Sequence, residues 1–184
     1  MGFLQRVFQL KNSLGLRNEA ELLVRLQNPI NLKSFWINID LGQKVTKSNT
    51  DPSILRGLDF EVLKIFYPEP EWLLIFTNGS LLSDGPNAGA GVFSEIFSFY
   101  IPVRRGSAFD GEIAAIRTAL CQLPCHLENF TRAVILSDSQ AVLLAIVSDK
   151  NPISQGILDC RHYLQNLASL EKTIVLLCCG FLPL

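Results

Sequence analysis

Two short, nearly continuous apolar runs in the second half of the chain constrain its fold more than any other feature. They are WLLIFT at 72–77 and AVIL at 133–136. Runs this short and this apolar are typical of strands that are buried on both faces, as in a sheet covered by helices. They therefore predict an α/β layered fold.

The other elements of this half follow from alternation, helical spacing and turn residues. Further strands are predicted at 90–93, 96–103 and 173–177. Helices are predicted between Ser107 and Pro124, over 141–147 and over 153–170. The resulting order, β-β-β-α-β-α-α-β, indicates a mixed sheet whose first three strands form antiparallel hairpins.

Residue type also predicts how these elements begin and what they bury. Ser107, with Asp110 three positions later, and Ser139 are expected to cap the N-termini of the first two helices. The phenylalanines of the strand region are interpreted as core rather than as a base-stacking platform: Phe93, Phe97 and Phe99. Cys121, Cys125 and Cys160 are interpreted as buried thiols, because their spacing contains no CxxC pair and disfavours zinc.

Residues 1–70 differ from this pattern and are interpreted as an N-terminal helical and irregular extension, with 71–184 as the α/β domain. Helical spacing covers 3–26, and polar, turn-rich sequence follows from 31 onwards. Pro68 and Pro70 mark the boundary, since neither residue fits inside a helix or strand. We find no function for this extension in its sequence.

Composition excludes several classes of protein. The chain has 184 residues, 48% of them hydrophobic, which excludes a disordered polymer. A formal net charge of −1 leaves no global basic field, so nucleic-acid binding would need a local groove or a bound cation. No apolar run is long enough to cross a membrane, and Arg6 and Lys11 interrupt any signal peptide. Sparse cysteines favour an intracellular, reducing compartment, the cytoplasm or the nucleus.

Three oxygen-bearing side chains are expected to converge at one end of the sheet. Asn78 and Asp138 follow two buried strands that are parallel neighbours, and Glu112 lies near the start of the intervening helix. Converging carboxylates repel one another unless a cation neutralises them. Hard oxygen ligands suit Mg²⁺ or Mn²⁺, which can clamp the oxygens of a phosphodiester.

The motifs around these residues resemble those of the type 1 ribonuclease H domain. They are IFTNGS (75–80), AGAGVF (88–93), AFDGEIAAI (108–116) and VILSDSQAVLLAI (134–146). The resemblance covers about residues 71–177. It is closest to the domain found at the C-terminal end of arthropod non-LTR retrotransposon polyproteins, downstream of the reverse transcriptase.

The resemblance implies a five-stranded mixed sheet of order 3-2-1-4-5 with helices on both faces. It implies cleavage of the RNA strand of RNA/DNA hybrids, with two Mg²⁺ or Mn²⁺ ions held by four carboxylates. Asn78, Glu112 and Asp138 stand at three of the four ligand positions. The resemblance implies nucleic-acid contacts for Gly79, which can otherwise be an ordinary turn residue, and for Ser80 and Gln140, which can otherwise be solvated surface residues. Arg104 and Arg105 are candidates for phosphate contacts because they form a doubled basic site beside the sheet, and a solvated turn is their alternative.

Two departures from the family pattern lower the expected activity. Asn78 replaces the aspartate that bridges both ions in the family, and an amide lacks the charge of a carboxylate. After the last strand, the family continues with a histidine-bearing loop and a helix carrying the fourth carboxylate. Here no Asp or Glu follows Glu171. We therefore expect weak metal binding, impaired cleavage and a domain truncated after its last strand. Without the helix that would cover it, the apolar end of that strand and the tail at 176–184 are expected to be exposed, with possible self-association through them.

Two alternatives remain beside a weakly active ribonuclease H. The chain can be a non-catalytic nucleic-acid-binding module that keeps the fold without the metals. It can also be a decayed retrotransposon fragment without function, with 1–70 as a remnant of the polyprotein.

Overall fold

Six strands form one mixed sheet in a computed structural model that describes residues 36–38, 57, 60–61, 63–81, 87–148, 150–152 and 154–179. The strands are β1 (Trp36–Asn38), β2 (Leu73–Leu81), β3 (Ala88–Phe93), β4 (Ser98–Val103), β5 (Arg132–Ser137) and β6 (Thr173–Cys178). Their order across the sheet is β1-β6-β5-β2-β3-β4. Without β1, this is the predicted order 3-2-1-4-5, and it is confirmed.

Three α-helices and one 3₁₀ segment connect these strands. They are α1 (Ala108–Gln122), the 3₁₀ segment Leu123–Asn129, α2 (Gln140–Val147) and α3 (Gln155–Ser169). Ser107 and Asp110 form a capping box at the start of α1, as predicted. Ser139 occupies the cap position of α2, but its side chain makes no capping hydrogen bond. Within the described residues, no helix combines the length and apolarity needed to cross a membrane.

The sheet separates two apolar clusters. On the first face, buried residues of α1, α2 and α3 pack against alternate residues of the strands, such as Ile75 and Ile135. On the second face, Leu63 and Tyr67 pack against the intervening residues of β5 and β6, which include Leu136 and Leu177. Because both faces of the central strands are covered, those strands read as continuous apolar runs in the sequence.

The extension contributes to this domain in a way that the sequence does not predict. Strand β1 pairs in parallel with β6, from Trp36 opposite Val175 to Asn38 opposite Leu177. Residues 63–66 are helical, and Leu63, with the following Tyr67, covers the second face of β6. The uncovered last strand predicted from the sequence is therefore wrong for the described residues, where Leu176 and Leu177 are fully buried. Self-association stays a prediction. The regions 3–26 and 180–184 lie outside the described residues.

The predictions that the strand phenylalanines form the core and that the cysteines are buried are both partly wrong. Phe97 packs against the core, but Phe93 is 51% exposed and Phe99 is 37% exposed. Phe93 lies on the second face, beyond the strands that Leu63 and Tyr67 contact. Of the thiols, Cys160 is buried, and burial raises its pKa to about 12, whereas Cys121 and Cys125 are exposed on the α1 and 3₁₀ surface.

A buried arginine joins α3 to the end of α2. The Arg161 guanidinium donates hydrogen bonds to the carbonyl oxygens of Ala145 (2.9 Å), Ile146 (2.8 Å) and Lys150 (2.9 Å). Carbonyls at a helix C-terminus lack intrahelical partners, and a cation there also opposes the helix dipole. Arg161 therefore satisfies polar groups that burial would otherwise leave without hydrogen bonds.

We expect Arg161→Gln to lower the free energy of unfolding by about 3 kcal/mol, because a shorter, neutral side chain leaves buried carbonyls unsatisfied. Arg117→Gln is the matched control. Its ion pair with Asp159 (3.2 Å) lies at the surface, where such pairs contribute about 1 kcal/mol or less. Urea denaturation of both variants measures the difference, and equal losses would contradict the capping role of Arg161.

Candidate active site

The carboxyl end of the parallel strands holds Asn78, and the structure corrects its position. Strand β2 does not end at Thr77 but continues to Leu81, because it pairs with β3 along that length, Asn78 opposite Gly91. Its parallel pairing with β5 stops at Phe76 opposite Leu136. Extending that register by two residues places Asn78 level with Asp138. Thr77 closes this end of the ladder by donating a buried hydrogen bond to the Leu136 carbonyl (2.8 Å).

Two glycines let β2 and α1 touch through their backbones. A Cβ placed on Gly79 would lie 2.5 Å from the carbonyl carbon of Gly111 and 2.8 Å from Cα of Glu112. A Cβ placed on Gly111 would lie 2.8 Å from the carbonyl oxygen of Gly89. Real Cβ atoms do not approach other atoms this closely, so any side chain at Gly79 would force the helix away from the strand.

This contact buries the Glu112 carboxyl group within the site. Its Oε1 accepts a 2.6 Å hydrogen bond from the backbone N–H of Gly79. Its Oε2 accepts a 3.3 Å hydrogen bond from the Ser137 hydroxyl at the end of β5. The residue is only 5% exposed. One side chain of α1 therefore links the ends of β2 and β5.

Burial is the largest influence on the Glu112 carboxyl, and it raises the pKa of that group to about 7. The hydrogen bond from Gly79 opposes this shift, while the charge of the neighbouring Asp138 raises the pKa further. Desolvation and a like charge both disfavour the carboxylate form. A bound cation would oppose both effects and favour the carboxylate form of Glu112.

The donor set fits one hard cation better than two. Asp138 is exposed, so its carboxylate is accessible, and the half-buried Asn78 offers an amide oxygen. Both oxygens of Glu112 already accept hydrogen bonds from the protein. Among the described residues, no three His, Cys, Asp or Glu side chains are grouped to hold a metal ion. Two carboxylates are too few for the two-ion arrangement that the resemblance implies.

The remaining residues predicted to bind nucleic acid lie around this end of the sheet. Ser80, two positions after Asn78 on β2, is exposed, and so is Gln140, the first residue of α2. Arg104 and Arg105 are exposed just after β4, which lies three strands from β5, about 14 Å at ordinary strand spacing. The structure thus places Glu112 beside Asp138 and against the backbone of Gly79, the residue after Asn78, and it leaves both arginines at the far side.

Sequence reasoning missed two residues of the site. Gly111 immediately precedes Glu112 in the motif AFDGEIAAI (108–116), but the sequence did not indicate that it lets α1 approach the sheet. Ser137 precedes Asp138 at a position that reads simply as a strand end, yet its hydroxyl binds Glu112 and also accepts the Ser139 N–H (3.2 Å). The signal for Gly111 was its lack of a side chain within an otherwise strong helical pattern.

Comparisons with known proteins leave the family of this chain open. A scan against protein-family models finds no match. A search of curated proteins also finds no match.

We expect Gly79→Ala to destabilise the fold by roughly 3 kcal/mol, because the methyl group would overlap the Gly111–Glu112 backbone. Gly57→Ala is the control. Gly57 is helical and exposed and has no atom within 4 Å of its would-be Cβ, so alanine should be neutral or mildly stabilising. Thermal and urea denaturation test this pair, and a neutral Gly79→Ala would refute the close approach.

Stability should fall as pH rises from about 4.5 to about 7. Because the pKa of Glu112 is raised on folding, the folded state binds more protons than the unfolded chain within this window. After solvent screening, we expect a loss of about 1–2 kcal/mol across it. Urea denaturation at pH 5 and pH 8 in EDTA measures the loss.

Glu112→Gln should remove most of this pH dependence, because the amide does not titrate. Glu128→Gln, which changes an exposed carboxyl of the 3₁₀ segment, is the matched control and should leave it intact. A wild-type protein whose stability increases over the same window would contradict the assigned shift.

Proposed function

We propose that the chain is a ribonuclease H-type domain that binds RNA/DNA hybrids at the carboxyl end of its sheet and cleaves the RNA strand weakly. The convergence of Asn78, Glu112 and Asp138 at one end of a sheet of order 3-2-1-4-5 is the observation that carries this proposal. The motifs that resemble the family supply these three residues in order. The proposal concerns the domain and not any longer protein that contains it.

The residues of this edge suit the backbone of a nucleic acid. Ser80, near the end of β2, and Gln140, the first residue of α2, present exposed polar side chains. Such groups can form hydrogen bonds with sugar hydroxyls, which distinguish RNA from DNA. Arg104 and Arg105 are placed to contact phosphates of a strand that extends over β4.

Asp138, Glu112 and the amide oxygen of Asn78 are the groups that would hold a divalent cation. When bound, such an ion would polarise the scissile phosphate and stabilise the developing charge. Ionisation of Glu112 is a precondition, because its pKa of about 7 leaves it partly protonated at neutral pH. Ser137 and Gly79 fix the orientation of that carboxyl group through their hydrogen bonds.

Hybrid binding without cleavage is the second candidate function. It is favoured by Asn78, which removes one negative charge from the edge, and by Glu112, whose oxygens are engaged by protein donors. A less anionic edge repels phosphates less and therefore suits binding. The same cleavage experiment distinguishes the two candidates.

We expect Asn78→Asp to increase cleavage of an RNA/DNA hybrid above that of the wild type. A third carboxylate at the strand end would strengthen cation binding and transition-state stabilisation, an effect of up to about 4 kcal/mol, or roughly a thousandfold in rate. The gain should be partial, because no described residue supplies a fourth carboxylate. Cleavage in Mn²⁺ and in EDTA is followed on a labelled hybrid.

Asn78→Asp combined with Asp138→Ala is the control and should lose the gain. The mass at residue 78 is checked in every sample, because Asn78-Gly79 is a sequence prone to deamidation. Robust, EDTA-sensitive cleavage by fresh wild type would mean that the native site is fully competent. Hybrid binding with no cleavage by any variant would favour the second candidate.

A further inference from the structure

The second face of the sheet is unequally covered. Over β5 and β6 it is buried by Leu63 and Tyr67. Over β3 and β4 it exposes aromatic rings, with Phe93 51% and Tyr100 68% exposed. Phe93, which its sequence context predicts to be core, therefore belongs to an exposed aromatic surface.

The exposed rings lie in register with the candidate active site. Asn78 on β2 pairs with Gly91 on β3, which in turn pairs with Tyr100 on β4. Residues directly opposite in antiparallel strands point to the same face. Tyr100 therefore shares a row with Asn78, and only a glycine stands between them. The next row holds Ser80, Gly89 and Pro102.

The Tyr100 ring leans from β4 over β3, where it contacts the position of Gly89. A Cβ placed on Gly89 would lie 2.9 Å from the Tyr100 hydroxyl oxygen and 3.4 Å from two ring carbons. The ring thus covers Gly89, in the row of Ser80. Phe93 is its diagonal neighbour across the strands and contacts Phe76, with ring centroids 6.4 Å apart.

Charge on this surface favours a polyanion. Strands β3 and β4, AGAGVF and SFYIPV, contain no acidic residue. Arg104 and Arg105 follow directly after β4 and are exposed. Exposed aromatic rings flanked by basic side chains are the features with which proteins hold single-stranded nucleic acid, because bases stack on the rings and phosphates contact the cations.

We propose that the outer face of β3 and β4 binds single-stranded nucleic acid adjoining the hybrid, with Tyr100 as a stacking residue. This inference rests on the proposed function, since the strand would continue from a hybrid bound at Asn78 and Asp138. It makes the preferred ligand a hybrid with an unpaired overhang rather than a blunt one. Phe93 would extend the stacking surface by one diagonal step.

Fluorescence anisotropy with three probes tests the inference: a blunt RNA/DNA hybrid, the same hybrid with a single-stranded overhang at either end, and the single strand alone. Measurements are made in EDTA and in Mg²⁺, with probe integrity checked on gels. We expect one overhang to tighten binding about tenfold, the effect of stacking one base.

Tyr100→Ala should abolish the gain from the overhang and leave blunt-hybrid binding unchanged. Tyr100→Phe keeps the ring and should keep the gain. Phe66→Ala is the matched control, because Phe66 is 63% exposed but lies on the helical residues 63–66. Since these side chains are exposed, we expect the three variants to melt like the wild type.

The outcomes separate the two proposals. Blunt-hybrid binding without any gain from an overhang, or a gain that survives Tyr100→Ala, overturns this inference alone. Binding of the overhang and single-strand probes without binding of the blunt hybrid overturns the proposed function and supports the surface. Failure of every probe to bind overturns both.

Discussion

The contact between the backbones of Gly79 and Gly111 is the constraint on which the rest of the site depends. Because neither residue has a side chain, α1 approaches β2 until the Glu112 carboxyl group reaches the Gly79 N–H. The same carboxyl group then reaches the end of β5 through Ser137. A larger residue at either glycine would separate helix from strand, and the carboxyl group would lose both partners and its burial.

The two acidic residues at the start of α1, Asp110 and Glu112, lie in different environments and have different roles. Asp110 closes the capping box with Ser107, and those hydrogen bonds hold the pKa of Asp110 below its usual range. Glu112, two residues later, faces the sheet and has a raised pKa because it is buried. Local hydrogen bonding therefore stabilises one charge at the helix N-terminus, while tertiary packing disfavours the other.

Local pattern predicted the buried central strands, because they read as apolar runs, whereas the strand order followed from the resemblance of the motifs to a known family. It did not predict that β1 pairs with β6 or that Tyr67 covers it, since such partners lie far away in sequence and leave no periodic signal. It also misplaced Phe93, because an aromatic residue on a strand looks the same whether its face is covered or not. Arg161 was missed because a buried charge is recognisable only from the carbonyls that it caps.

The choice of asparagine or aspartate at position 78 has opposite effects on the stability of the fold without a cation and on its affinity for a cation. Burial and, to a smaller extent, the charge of Asp138 already raise the pKa of Glu112 to about 7, so protonation of Glu112 stabilises the folded chain as pH falls below that value. A third carboxylate at Asn78 would increase that repulsion in the absence of a cation, and would strengthen the hold on a cation when one is present. Asn78 therefore avoids that added repulsion and gives up the added cation affinity.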